Sequence, residues 1–218
     1  MEVSSKFYRK AFLNLTAFGI AMAYLEAAVV VYLRLLYYPG GFHFPLKPIP
    51  SSVALVELGR ELATLVMLWF VARMLHRRFR EHFIAFLFTF GVWDLFYYFW
   101  LKIFLNWPAT WTEWDILFLI PLPWVGPWSA PALVSVGFIF VGILMMRAPR
   151  KFDGPAFTKN VWLFEIAVAL TILITFFWQT IPVLRGELPL YYPWWLFFLA
   201  YLSGLAVFLT AYFKPVNR

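Results

Sequence analysis

The chain reads as an all-α membrane protein, a bundle of six transmembrane helices, and three observations lead there. Apolar runs of about 20 residues recur along it, the length a helix needs to cross a bilayer core of about 30 Å. Only 13% of the residues are charged and 63% are hydrophobic, against roughly 25% charged in soluble domains. Lys and Arg collect between alternate runs, as they do in cytoplasmic loops. A transmembrane β-barrel needs strands of about ten residues alternating in polarity, and no such alternation is present.

Taken in order, the spans fall at about 11–37, 53–75, 83–105, 128–147, 161–183 and 192–213, one transmembrane domain over 1–218. The opening MEVSSKFYRK is basic and AFLNLTAFGIAMA is apolar, which resembles a secretory signal. The apolar run continues past Glu26 to Tyr38, too long for a signal, so it is expected to stay as the first span. Lys6, Arg9, Lys10, Arg73, Arg77, Arg78, Arg80, Arg147, Arg150, Lys151, Lys159, Lys214 and Arg218 fall on one side of the bundle. Arg34, Lys47, Lys102 and Arg185 fall on the other, and Arg60 lies inside the second span. The positive-inside rule then places both termini in the cytoplasm. The net charge of +7 follows from this distribution and does not point to nucleic acid.

The opposite side gathers Trp107, Trp111, Trp114, Trp124, Trp128, Trp194 and Trp195, amphipathic rings suited to the headgroup layer. DILFLIPLPWVGPWSAP, residues 115–131, is apolar but carries Pro121, Pro123, Pro127 and Pro131, too many for a continuous helix. It is expected to be an interfacial or re-entrant segment, which needs protein or water around its irregular backbone.

A weak internal repeat is visible: YLEAAVVVYLRLLYYP (24–39) aligns with VWDLFYYFWLKIFLNWP (92–108), and SVALVELG (52–59) with APALVSVG (130–137). Glu26 then matches Asp94, and Arg34 matches Lys102. Two repeated helical hairpins would produce this, and so would any two aromatic-rich helices ending at the same interface.

Charges inside spans carry the functional question. With the orientation above, Glu26, Arg34, Glu57, Arg60, Glu61, Asp94 and Lys102 all lie in the outer half of the first three helices. Four-residue spacing puts Glu57, Glu61 and Thr64 with Arg60 on one stripe, Glu26, Val30 and Arg34 on a second, and Asp94, Tyr98 and Lys102 on a third. A charge at mid-helix costs about 2.5–3.5 kcal/mol on insertion scales, so seven of them are expected to face one another. Gly19, Ala23 and Ala27, and Gly59 with Ala63, are spaced by four as small-residue packing ridges. Glu165 sits apart in the fifth span, where with Gln179 it would continue a path inward.

The candidate binding residues are therefore Glu26, Arg34, Glu57, Arg60, Glu61, Asp94, Tyr98 and Lys102. Two interpretations stand: a pocket or path for a small cation, an amine or an amphipathic solute, and a closed salt-bridge network that sets helix register. The second suits a non-catalytic subunit of a larger membrane complex. A third, a lipid-modifying enzyme using carboxylates, lacks a recognisable nucleophile and base. No catalytic residue, metal site or cofactor is expected. The chain has no Cys, which removes thiolate ligands and disulfides. Its three histidines, His43, His76 and His82, share no helix face with Glu26 or Asp94. The expected partner is the lipid bilayer, with a homodimer or larger complex if solute is moved.

YLEAAVVVYLRLLYYP, VELGRELATLVM and GVWDLFYYFWLKIFLNWP resemble segments of bacterial polytopic integral membrane proteins whose activity is uncharacterised. The resemblance spans roughly residues 20–137 and implies placement in a bacterial inner membrane without implying an activity.

Overall fold

A computed structural model describes residues 5–75, 78–147 and 156–214, and among these residues six long helices, a short one and one small β-hairpin are built. Arg77, Arg150, Lys151, Arg218 and His76 lie outside the described residues. The helices are α1 (Ser5–Tyr37), α2 (Ser51–Leu75), α3 (Phe79–Leu105), α4 (Ser129–Arg147), α5 (Lys159–Phe177), a short α6 (Thr180–Leu184) and α7 (Trp194–Phe213). The strands β1 (Trp114–Phe118) and β2 (Trp124–Pro127) stand between α3 and α4.

Among the described residues, five segments are long and apolar enough to cross a membrane: residues 10–37 of α1, α3, α4, the α5–α6 stretch 159–184, and α7. The chain therefore has the character of a multi-pass membrane protein. The 25-residue α2 has comparable length, but Glu57, Arg60 and Glu61 interrupt its apolar surface.

Helix ends follow local chemistry. α1 stops before Pro39, and Gly41 takes a φ of 100° in the turn that follows, a conformation open to glycine at little cost. α3 ends on Asn106 at φ 51°, a residue type that tolerates the left-handed cap. Thr158 caps α5, its hydroxyl accepting the Val161 N–H at 3.4 Å.

α3 is the central element and packs against α1, α2 and α4. Small residues permit the close approaches. A Cβ added at Gly91 would stand 2.6 Å from the Ser135 carbonyl oxygen of α4, and one at Gly142 would stand 2.8 Å from Phe88 Cβ. On the α1 side, Gly19 lies against Val92, and Ala23 and Ala27 are fully buried, so the ridge expected from their spacing packs on α3. The second expected ridge does not. Gly59 meets nothing within 4 Å and Ala63 is exposed. α2 instead buries Glu57, Glu61, Thr64, Leu68 and Ala72, the face that carries its charges.

α5 and α7 pack on each other. They join the rest through the Tyr201 hydroxyl, which donates to the Leu133 carbonyl of α4 at 2.9 Å, and through Thr180, whose hydroxyl donates to the Pro123 carbonyl at 2.6 Å.

The Pro-rich segment differs from a simple interfacial stretch. It folds as an antiparallel hairpin in which Trp114 faces Pro127, Asp115 faces Gly126 and Ile116 faces Val125. Its turn contains Pro121 and Pro123, which cannot donate to a ladder. Its irregular backbone is tolerated because protein surrounds it: Phe118 and Val125 are buried, and Trp124 stacks on Phe176 at 5.9 Å.

The α1–α2 and α3–α4 pairs are packed differently, α3 and α4 meeting along their length while α1 and α2 make little contact. Replacing Gly91 with Leu is expected to lower the thermal midpoint of the detergent-solubilised protein, with an overpacking cost of about 1–3 kcal/mol. Gly59→Leu, in open space, leaves the midpoint within experimental error in the same melting assay.

Candidate functional site

Where α1 and α2 part, a cavity of about 250 Å³ opens between them, lined also by α3, the 38–49 loop and β1 with its turn. Its lining includes exposed Lys47 and Ile49 at one end and buried Glu26, Glu61 and Asp94 at the other. It therefore reaches from the interior to the surface at the hairpin end of the bundle.

Arg60 organises the floor. Its Nε and Nη2 donate to Glu57 Oε2 at 3.0 and 2.7 Å, one turn away on α2. Its Nη1 donates across to Glu26 of α1. The second oxygen of Glu26 accepts the Thr64 hydroxyl at 2.9 Å. One guanidinium thus serves two carboxylates, and the group keeps a formal surplus of one negative charge when ionised.

Glu61 and Asp94 form no salt bridge among the described residues, although the Arg60 charge is near enough to act on Glu61. Both oxygens of Glu61 accept the Leu119 backbone N–H from the hairpin, at 3.1 and 2.9 Å. Asp94 Oδ2 accepts the Ser135 hydroxyl of α4 at 2.8 Å. A backbone amide and a hydroxyl each satisfy a carboxylate lone pair without supplying a counter-charge.

At the loop side of the cavity, Arg34 Nη2 donates to Asp115 Oδ1 at 2.9 Å, joining α1 to β1. The guanidinium lies 3.8 Å from the Trp107 ring centre and 4.5 Å from that of Phe42, two rings set edge to face around it, cation–π contacts that hold it in place. Burial pushes the Asp115 carboxyl up to about 6, while the Arg34 guanidinium draws it the other way.

Of the eight residues expected from sequence, six line the cavity: Glu26, Arg34, Glu57, Arg60, Glu61 and Asp94. Tyr98 and Lys102 do not. Tyr98 is buried against Tyr97, Trp107 and Trp128, and Lys102 is exposed, its ammonium donating to the carbonyls of Asn106 and Pro108 at 3.3 and 2.9 Å. The reason is helical geometry. At about 100° per residue, Tyr98 lies about 40° and Lys102 about 80° to one side of Asp94. The cavity lies to the other side, where Trp93 and Tyr97 line it.

Asp115, Lys47 and Ser135 were not among the expected residues. Asp115 is the one charge in an otherwise apolar run, which is the signal that identifies it. Ser135 carries no such signal, because nothing in the sequence brings α4 to Asp94. Glu165 and Gln179 are outside the cavity lining. Glu165 lies half-buried beside Gly204 of α7, and Gln179 Oε1 accepts the Leu190 N–H at 3.2 Å.

The aromatic and aliphatic walls, with Trp93, Tyr97 and Phe118 among them, make the site amphipathic. Among the described residues no group of three or more His, Cys, Asp or Glu side chains is placed to hold a metal ion. What the arrangement offers is hydrogen-bond acceptance and negative charge beside apolar surface.

Arg60→Gln is expected to destabilise the protein strongly, on the order of 3–5 kcal/mol, because it strands two buried carboxylates. Adding Glu26→Gln and Glu57→Gln should recover part of that loss in denaturant titrations followed by circular dichroism. Comparison of the chain with protein-family models, with curated proteins and with solved structures found no match.

Proposed function

We propose that this is an integral membrane protein of six spans, α2 included, that binds a small organic cation, an amine with an apolar body, in the cavity between α1, α2 and α3. The observation that carries this reading is the pair of buried carboxylates, Glu61 and Asp94, that line a cavity reaching the surface and form no salt bridge among the described residues. A network serving only to set helix register is stabilised by closing on itself, since an uncompensated buried carboxylate costs several kcal/mol. Here two carboxyls stay outside the network, and beside them lie Trp93 and Tyr97, rings whose faces attract cations.

Size supports a small ligand. A volume of about 250 Å³ lies below the roughly 300–1,000 Å³ of pockets that take drug-sized molecules. In the orientation that the Lys and Arg distribution supports, with both termini cytoplasmic, the cavity opens towards the outer leaflet. The solute would then come from outside or from the outer membrane surface. Movement of the solute across the membrane would call for a second copy or a partner subunit, because the cavity lining includes none of the chain beyond Pro123.

The reading is tested by titrating the detergent-solubilised protein with n-butylamine and following microscale thermophoresis and the thermal midpoint. Saturable binding with a raised midpoint is expected. Glu61→Gln and Asp94→Asn should each weaken binding at least tenfold while the unliganded protein stays folded. Wild-type affinity in both variants would remove the carboxylates from the site and the proposal with them.

A further inference from the structure

The cavity has two poles, and their arrangement names a narrower class of ligand; this inference rests on the reading above. At the deep pole stand Glu61 and Asp94 with the Arg60 group, which carries a surplus negative charge. At the loop pole stand Arg34, Asp115 and Lys47, all in the cavity lining, with a formal charge of one positive. Arg34 Nη2 donates to Asp115 Oδ1, and the buried Arg34 Nη1 and Asp115 Oδ2 have no hydrogen-bond partner among the described residues. Lys47 forms no ion pair there, and its ammonium lies 5.4 Å from the centre of the Tyr38 ring.

One aromatic frame positions both cations. Phe42 underlies Arg34 at 4.5 Å and meets Tyr38 edge-on at 5.1 Å, and the Tyr38 hydroxyl accepts the Lys47 backbone N–H at 2.7 Å. The loop is thereby tied so that Lys47 stands at the mouth. A simple cation entering here satisfies the deep carboxylates but meets a like charge on the way, which weakens binding. A molecule with an ammonium at one end and an anion at the other satisfies both poles. The spare Arg34 donor and the Lys47 ammonium suit a carboxylate or phosphate.

We propose that the site takes a zwitterion whose ammonium enters first, against Glu61 and Asp94, and whose carboxylate or phosphate stays at Lys47 and Arg34. The cavity volume corresponds to roughly 6 Å across if equant, room for a spacer of about two to four carbons. A free amino acid or aminoalkyl phosphate has this chemistry, and so does the headgroup of an ethanolamine phospholipid.

The experiment uses the full chain in phosphatidylglycerol nanodiscs titrated with 4-aminobutanoate, O-phosphoethanolamine and n-butylamine. Both zwitterions are expected to bind at least tenfold more tightly than butylamine. Lys47→Gln should erase that preference while leaving butylamine affinity unchanged or improved, and Glu61→Gln should weaken all three. Adding phosphatidylethanolamine to the discs separates the sources: displacement of the soluble ligands identifies a lipid headgroup as the occupant, and its absence identifies a free solute. Equal affinity for butylamine and the zwitterions, or a preference that survives in Lys47→Gln, overturns the two-pole site while leaving the amine site standing. Absence of binding by all three probes overturns both.

Discussion

The Arg60 guanidinium, shared between Glu57 of its own helix and Glu26 of α1, is the interaction on which the rest of the site depends. α1 and α2 barely touch, so little apolar burial holds them together at this level. A charge-assisted bridge does so instead, and its strength comes from the low dielectric around it. The same interaction explains why three charges are tolerated within five residues of a membrane-length helix. Each sits on the buried face of α2 or reaches into it, and facing lipid would cost about 2.5–3.5 kcal/mol apiece.

A bridge alone would let α1 and α2 collapse together. The hairpin prevents this by entering the gap from the loop end, its Leu119 N–H on Glu61 and its Asp115 on Arg34. Those two contacts anchor it to α2 and α1 respectively, while Thr180 holds its turn from the α6 side. α3 supplies the remaining wall and is itself fixed by close packing on α4, where Gly91 and Gly142 remove the side chains that would keep the helices apart. The cavity is therefore framed by parts that are each fixed elsewhere, which is what preorganises a binding site.

The same frame leaves charge unbalanced in a definite pattern. Pairing consumes Arg34 and Arg60, and the helix-bound carboxylates outnumber them. The deficit is concentrated at Glu61 and Asp94, held by a backbone amide and a hydroxyl, while Lys47, over the Tyr38 ring and without an ion pair among the described residues, stands at the mouth. Donors that satisfy a carboxylate without bringing a counter-charge leave it available to a ligand of complementary charge.

The amino-acid sequence by itself determined the membrane-spanning character, the helix positions to within a few residues, and the burial of Glu26, Glu57, Glu61 and Asp94. All of these follow from hydrophobic length and from the cost of exposing charge to lipid, which act locally along the chain. The face of α3 that meets the cavity was decided by tertiary structure, because four-residue spacing leaves a sector of about 100° open and only packing against α1 and α4 selects within it. Tyr97 rather than Tyr98 lines the cavity for that reason, and Lys102 turns to the carbonyls at its own helix end. The pairing of Arg34 with Asp115, 81 positions apart, was likewise settled only when the Pro-rich segment folded back as a hairpin, since prolines forbid a helix without specifying what replaces it. Local chemistry dictated which residues must be hidden, and the long-range contacts dictated from what and beside whom.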